Sequence, residues 1–172
     1  LGDTVAISAR SETFGRERLT WSELHDQVAS LAAHLRDMGV VEGDRVVAIL
    51  PNSPASIIAL LATASLGAIW SLCSPDMGHV AIVDRFAQIE PKVLIAQDGY
   101  VHGGKTIDRQ DLLKLVTDSL PTLEQRIVLP FVADLPEGAL NWADLLHRKA
   151  ELKTTQVAFD HPLWVVYSSG TT

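Results

Sequence analysis

Residues 46–75 constrain the fold of this chain more than any other stretch, because they include no charged side chain. The stretch is interrupted by the sequence PNSP at residues 51–54 and again by Gly67. The piece between these breaks, residues 55–66, is shorter than the roughly twenty apolar residues that a membrane-spanning helix needs. We therefore interpret the stretch as a strand, a helix that is apolar on nearly all sides and a second strand, all buried inside a protein.

Strand and helix patterns alternate along the rest of the chain. Two short strands flank a polar turn at residues 11–15, and Thr20 and Glu23 then form the pattern of a capping box at the start of a helix that ends at Gly39. The alternation predicts an α/β fold, a mostly parallel sheet with helices on both faces, in which ligands bind beyond the carboxyl ends of the strands. The further predicted strands are residues 46–50, 68–72, 93–96, 127–129 and 163–167, and the further predicted helices are residues 55–66, 80–88, 108–118 and 142–149.

The composition narrows the class of protein. The net charge of −7 argues against a protein that binds nucleic-acid backbones, because such proteins need a basic face. The sole cysteine, Cys73, can form no disulfide within the chain, and we interpret it as a small buried side chain in a reducing compartment. The first residues lack the charged-then-apolar pattern of a secretory signal. We expect a cytoplasmic protein with no nucleic-acid or membrane partner.

Residues 99–106, GYVHGGKT, match the pattern G-x-x-x-x-G-K-[ST] of a nucleotide-binding P-loop letter for letter. In a P-loop, the lysine and the threonine lie in the first turn of a helix whose amino end faces the phosphates. Here the best helix cap is Asp108, so Lys105 and Thr106 precede the predicted helix. A P-loop nucleotidase, a glycine-rich turn with a solvated lysine and a role in another phosphate site all stay open.

The sequence YSSGTT at residues 167–172 is a second candidate phosphate site. Its hydroxyl and backbone N–H donors carry little steric bulk, and Gly170 allows a ligand to approach the backbone closely. Such donors suit a polyphosphate. A plain serine- and threonine-rich turn after a strand is the other interpretation. The candidate residues are Ser168, Ser169, Gly170, Thr171 and Thr172.

YSSGTT resembles the opening of the signature of adenylate-forming enzymes, the acyl-CoA synthetase superfamily, which continues with G-x-P-K. Further stretches are similar to this superfamily in the same order: LTWSELHDQVASLAAHLRDMGVVEGDRVVAILPNSP, ATASLGAIWSLCSPD, DRFAQIEPKVLIAQDGYVHGGK and FDHPLWVVYSSGTT. The last two resemble in particular the members that activate acetoacetate. The resemblance covers nearly the whole chain. It implies that residues 1–172 are part of the large N-terminal AMP-binding domain, without the remainder of that domain and without the C-terminal domain.

The resemblance implies a two-step reaction with ATP, Mg²⁺ and coenzyme A. The carboxylate of acetoacetate attacks the α-phosphate of ATP to give acetoacetyl-adenylate and pyrophosphate, and the thiol of coenzyme A then displaces AMP. Residues 168–172 would grip the β- and γ-phosphates. Lys105 and His102 fall where related acetyl-CoA synthetases carry two arginines that contact the nucleotide phosphates of coenzyme A. A neutral histidine is the weaker phosphate partner of the two.

The resemblance also places the magnesium-binding glutamate, the acyl pocket and the catalytic lysine outside residues 1–172. We therefore assign no catalytic residue and no metal ligand within the chain, and we expect a ligase fragment that is inactive alone. The alternatives are a P-loop nucleotidase that uses residues 99–106 and a binding module that keeps the fold without the chemistry.

Overall fold

The computed structural model describes residues 2–167, so the candidate phosphate segment, residues 168–172, lies outside the described residues. The elements follow one another in the order β1 (Val5–Ser11), β2 (Gly15–Thr20), α1 (Trp21–Asp37), β3 (Arg45–Ile49), α2 (Pro54–Ser65), β4 (Ile69–Cys73), α3 (His79–Ala87), β5 (Val93–Gln97), β6 (Gly99–His102), β7 (Lys105–Asp108), α4 (Gln110–Asp118), β8 (Gln125–Leu129), β9 (Leu140–Asn141), a 3₁₀ helix (Ala143–Leu146) and β10 (Trp164–Val165).

Six of the strands form one parallel sheet in the order β10-β4-β3-β5-β8-β9. The predicted α/β fold with a parallel sheet is therefore confirmed, and the predicted strands within it are found with shifted ends. β10 is shorter than the predicted strand at residues 163–167, and β9 was not predicted. The remaining four strands form two antiparallel hairpins, β1–β2 and β6–β7, outside this sheet.

The central strand β3 is buried on both faces because its side chains alternate between two apolar clusters. Val46 and Ala48 belong to the cluster that α1 and α2 cover, while Val47 and Ile49 belong to the cluster that α3 and α4 cover. All four side chains are fully buried. Burial of an aliphatic side chain of this size stabilises a fold by roughly 1.5–3 kcal/mol, so helices on both faces are required for β3 to contribute fully.

The capping box predicted at the start of α1 is confirmed. The Thr20 backbone N–H donates to Glu23 Oε2 at 2.8 Å, and the Glu23 N–H donates to Thr20 Oγ1 at 3.2 Å. At the other end, Gly39 takes a φ of 79°, a left-handed conformation that glycine adopts without strain. These two signals fix the ends of the longest helix among residues 2–167.

The helix predicted to start at Asp108 begins two residues later, at Gln110. Asp108 instead closes β7, where it is paired with Gly99. Its Oδ1 still accepts the Gln110 N–H at 2.8 Å, one position before the cap residue Arg109. The predicted cap therefore serves the helix start, but it lies one position before the cap residue.

The helix predicted at residues 142–149 is only a 3₁₀ turn, Ala143–Leu146. The buried hydroxyl of Ser30 on α1 donates to the Leu145 carbonyl at 2.7 Å and accepts the Arg148 N–H at 2.9 Å. Since an α-helix would need that carbonyl and that N–H for its own ladder, this tertiary contact ends the segment early.

None of the helices formed by residues 2–167 has the length and apolar character that a membrane crossing requires. α2, the most apolar of the predicted helices, spans 12 residues.

Cys73 lies at the end of β4 and is only 2% exposed. Burial raises the pKa of its thiol from 9.0 to about 11, and the charge of Arg85 offsets part of that effect. The interpretation of Cys73 as a small buried side chain is therefore confirmed.

We predict that Cys73 reacts slowly with the thiol reagent DTNB at pH 8 in the folded protein and quickly after addition of urea. Between about pH 9 and pH 11 the unfolded thiol ionises while the folded thiol does not, so the free energy of unfolding should fall as the pH rises through this window. Urea titrations at pH 8 and pH 10 on the parent and on Cys73→Ala measure the effect, which the alanine variant should lack. Rapid labelling of folded protein at pH 8 would contradict the assignment.

Candidate functional site

β10 brings the chain to the carboxyl edge of the parallel sheet. Trp164 lies opposite Trp70 and Val165 opposite Ser71, so β10 runs parallel to β4. The Ser71 hydroxyl on β4 donates to the Val165 carbonyl at 2.9 Å and adds a side-chain hydrogen bond between β4 and the short β10. The chain therefore leaves the sheet at the edge where proteins of this architecture bind ligands.

Tyr167, the last described residue, is held against α3. Its hydroxyl donates to the backbone carbonyl of Arg85 at 2.6 Å, and the Arg85 guanidinium carbon lies 5.4 Å from the centre of the ring. Burial raises the pKa of Tyr167, so the phenol is protonated at neutral pH and can donate this bond. These contacts fix the residue that precedes the candidate phosphate segment. The segment itself lies outside the described part of the chain and consists of Ser168, Ser169, Gly170, Thr171 and Thr172.

A cavity of about 230 Å³ opens beside the Tyr167 ring. The ends of β4 and β10 and the loop that leads into α3 form its walls, among them Ser74, Met77 and Trp164. Complete small-molecule sites measure roughly 300–1,000 Å³. The cavity, as residues 2–167 form it, is smaller than a complete site.

The glycine-rich residues 99–106 form a β-hairpin and not a P-loop. Gly103 and Gly104 have φ angles of 58° and 72°, which is the pattern of a type I′ two-residue turn. Lys105 and Thr106 lie in β7, and α4 begins only at Gln110. Two glycines between strand-like residues are themselves a hairpin pattern, and we missed it because the same letters also match a P-loop.

His102 and Lys105 are brought together by this hairpin. They are paired directly across the two strands, so both side chains leave the same face of the ribbon, and both are exposed. Lys105 is thus on the surface and ahead of the helix, as predicted, although it lies in a strand and not in a loop.

Two carboxylates flank His102. The pKa of Glu12 is lowered mainly by hydrogen bonds from the Gly104 and Gly103 N–H groups, with a smaller contribution from His102. The pKa of Asp76 is lowered mainly by a hydrogen bond from Ser74, with smaller contributions from Arg109 and His102. The side chains of His102 and Lys105 are both exposed, and the lysine is the stronger phosphate partner of the two.

Arg109 connects the start of α4 to the loop that follows β4. Its guanidinium donates to the Pro75 carbonyl at 2.6 Å and to the Met77 carbonyl at 2.8 Å. This loop also forms part of the cavity beside Tyr167. We did not single out Arg109 in the sequence, because both of its acceptors are backbone atoms more than thirty residues away.

Asp98 is a second residue that we missed. It is 1% exposed, and its carboxylate accepts the backbone N–H groups of Phe131 at 2.6 Å and of Ala133 at 3.1 Å. These bonds hold the start of the 130–138 loop against the end of β5. An acidic residue directly after a fully buried strand is the signal that could have indicated such an anchor.

The residues from 2 to 167 contain no group of three or more His, Cys, Asp or Glu side chains arranged to hold a metal ion.

Comparisons with known proteins agree along the whole chain. The family model for AMP-binding enzymes matches residues 2–172. Acetoacetyl-coenzyme A synthetase of Rhizobium meliloti (strain 1021) is 41% identical over 181 residues, which is 99% of this chain and 27% of that protein. Acetoacetyl-CoA synthetase of Mus musculus is 38% identical over 187 residues, again 99% of this chain and 27% of the relative.

Two solved structures share the fold. Acetoacetyl-CoA synthetase from Streptomyces lividans superposes with a TM-score of 0.94 and 49% identity, over 98% of this chain and 26% of that one. Acyl-CoA synthetase of Brucella canis superposes with a TM-score of 0.79 at 22% identity, over 98% of this chain and 29% of that one, which shows the fold alone. The chain thus spans about a quarter of the length of these relatives, and because the family model matches it nearly from end to end, it belongs to the AMP-binding enzyme family.

Proposed function

We propose that residues 1–172 are part of the large N-terminal AMP-binding domain of an ATP-dependent acid–thiol ligase that converts acetoacetate to acetoacetyl-CoA. The observation that carries this proposal is the likeness over the full chain to proteins named acetoacetyl-CoA synthetase, both in sequence and in structure. The remainder of that domain and a C-terminal domain would follow in the complete protein.

In the proposed reaction, a carboxylate oxygen of acetoacetate attacks the α-phosphorus of ATP, and the bond to the bridging oxygen breaks to release pyrophosphate. The coenzyme A thiol, after losing its proton, then attacks the acyl carbon of the adenylate, and AMP leaves. Enzymes accelerate phosphoryl and acyl transfer of this kind by positioning the reactants and by stabilising charge.

For the first step, we assign the grip on the β- and γ-phosphates to the segment formed by residues 168–172. This assignment is supported by the position of Tyr167, the residue before the segment. Tyr167 is fixed to α3 at the carboxyl edge of the sheet, next to the cavity. Magnesium would screen the phosphate charges when bound. We assign none of residues 2–167 to it.

For the second step, we assign Lys105 and, as the weaker partner, His102 to the nucleotide phosphates of coenzyme A. The support is their shared face at the tip of an exposed hairpin. The charge of His102 contributes to the lowered pKa of Glu12 and of Asp76, so these carboxylates already interact with His102, whereas Lys105 is an exposed lysine on a flexible stem.

The P-loop nucleotidase gains no support, because Lys105 does not lie in the first turn of a helix. A binding module without catalysis would be indicated if the complete protein bound the substrates but formed no adenylate. We also propose a cytoplasmic location, consistent with the sole, buried cysteine.

We predict that Lys105→Ala in the complete enzyme raises the KM for coenzyme A about tenfold, which corresponds to about 1.4 kcal/mol of lost binding. Acetoacetate-dependent exchange between pyrophosphate and ATP, which needs no coenzyme A, should stay nearly unchanged. Lys105→Arg should retain most of the affinity, since arginine is the residue that related enzymes carry there.

The matched control is Lys114→Ala, which removes an exposed lysine of α4 that pairs with Asp118. Its KM for coenzyme A should equal that of the parent. If Lys105→Ala damaged the exchange reaction as much as the overall reaction, a role specific to coenzyme A would be ruled out.

We also predict that residues 1–172 expressed alone make no acetoacetyl-CoA and bind MgATP poorly. A triphosphate site encloses its ligand from several sides, and a chain that ends at Thr172 supplies one side only. Its terminal carboxylate would also repel the phosphates, by roughly 1 kcal/mol for two unit charges 4 Å apart in water. Titration calorimetry with MgATP and an assay of pyrophosphate release measure this. Micromolar binding, or release that depends on acetoacetate, would show that the chemistry is assigned to the wrong residues.

A further inference from the structure

The turn between β1 and β2 reaches the tip of the β6–β7 hairpin. Glu12 Oε2 accepts the Gly104 N–H at 2.8 Å, and Thr13 Oγ1 accepts the Val101 N–H at 2.9 Å. The partners are 92 and 88 residues apart in the chain, so these bonds connect two segments that would otherwise be independent.

The tip of the β6–β7 hairpin depends on such contacts. β6 and β7 pair only with each other in the described part of the chain, and an isolated two-stranded hairpin is marginally stable at best in water. At its base, the Arg109 N–H donates at 2.8 Å to the carbonyl of Asp98, the residue that directly follows β5. At the tip, Glu12 and Thr13 accept backbone N–H groups that the hairpin does not use itself.

The Glu12 carboxylate also occupies the N–H groups of the glycine turn. Paired backbone N–H groups with positive φ angles can bind an anion, but here a carboxylate of the protein already holds them, and hydrogen bonds from Gly104 and Gly103 lower the pKa of Glu12 so that it is ionised at neutral pH. A ligand phosphate must therefore be bound by the side chains that leave the hairpin and not by the turn.

We propose that Glu12 and Thr13 are positioning residues for coenzyme A: they hold the tip of the β6–β7 hairpin so that Lys105 and His102 face the nucleotide phosphates together. This inference rests on the proposed function, because it gives those two side chains the contact assigned to them above. Neither Glu12 nor Thr13 needs to touch the ligand.

Simple electrostatics and this positioning role predict opposite effects for Glu12→Ala. Removal of a negative charge near an anionic ligand would by itself lower the KM for coenzyme A. Loss of the anchor would instead let the hairpin tip move and raise the KM for coenzyme A. Binding would then have to order Lys105 and His102, and the entropy lost in doing so would weaken it. The sign of the change separates the two effects.

The test uses the complete enzyme with Glu12→Ala and Thr13→Val, which each remove one acceptor, and with Glu12→Gln and Thr13→Ser, which each keep an acceptor oxygen. Glu151→Ala is the matched control, since it removes one exposed negative charge that has no partner among residues 2–167. Deuterium exchange of a peptide covering residues 99–108 reports on the hairpin, and KM values for coenzyme A and for ATP report on the ligands.

We expect Glu12→Ala and Thr13→Val to speed deuterium exchange in residues 99–108 and to raise the KM for coenzyme A about fivefold, with the KM for ATP and the pyrophosphate exchange unchanged. Glu12→Gln, Thr13→Ser and Glu151→Ala should stay close to the parent in both measurements.

Unchanged deuterium exchange in both acceptor-removing variants would overturn the inference. Faster exchange with an unchanged KM for coenzyme A would also overturn it, and would leave the proposed function standing if Lys105→Ala still raises that KM. If Lys105→Ala has no effect on the KM for coenzyme A, the assigned contact fails and the inference fails with it.

Discussion

Burial of β3 on both of its faces is the constraint on which the rest of the structure depends. The strand pairs with β4 on one side and with β5 on the other, and its four central apolar side chains are fully buried. A parallel strand in this position needs a helix layer above and below the sheet and a crossover connection to each parallel neighbour. Because β3, β4 and β5 are parallel, the loops that follow them all lie at the carboxyl edge of the sheet, where the candidate site is found.

The β6–β7 hairpin differs from the sheet in the contacts that hold it. The sheet is stabilised by buried apolar surface, whereas the β6–β7 hairpin makes individual hydrogen bonds: Glu12 and Thr13 accept N–H groups near its tip, and the Arg109 N–H donates to the Asp98 carbonyl at its base. A segment held by few polar contacts can shift at modest cost. The hydrogen bonds from the Val101 and Gly104 N–H groups to Thr13 and Glu12 therefore limit the movement of the hairpin tip.

The sequence was informative wherever a local pattern and the tertiary structure agreed. The apolar runs at β3, β4 and β5 and the capping box at Thr20 were predicted correctly, because each depends on neighbours in the chain. The segment after Trp142 was not, because the hydroxyl of Ser30, on another helix, takes the backbone groups that would have continued it. Asp98 and Arg109 bind backbone atoms from distant loops, so no spacing in the sequence could identify their partners.

The same distinction explains the two candidate phosphate segments. Residues 99–106 match a phosphate-binding pattern in every letter, yet their glycine N–H groups face the carboxylate of Glu12, which the sequence places 92 residues before Gly104. A pattern of letters specifies which backbone groups can bind an anion, but the surrounding fold decides which anion they meet. Where the anion is an internal carboxylate, as Glu12 is for the Gly104 N–H, the turn becomes a structural anchor.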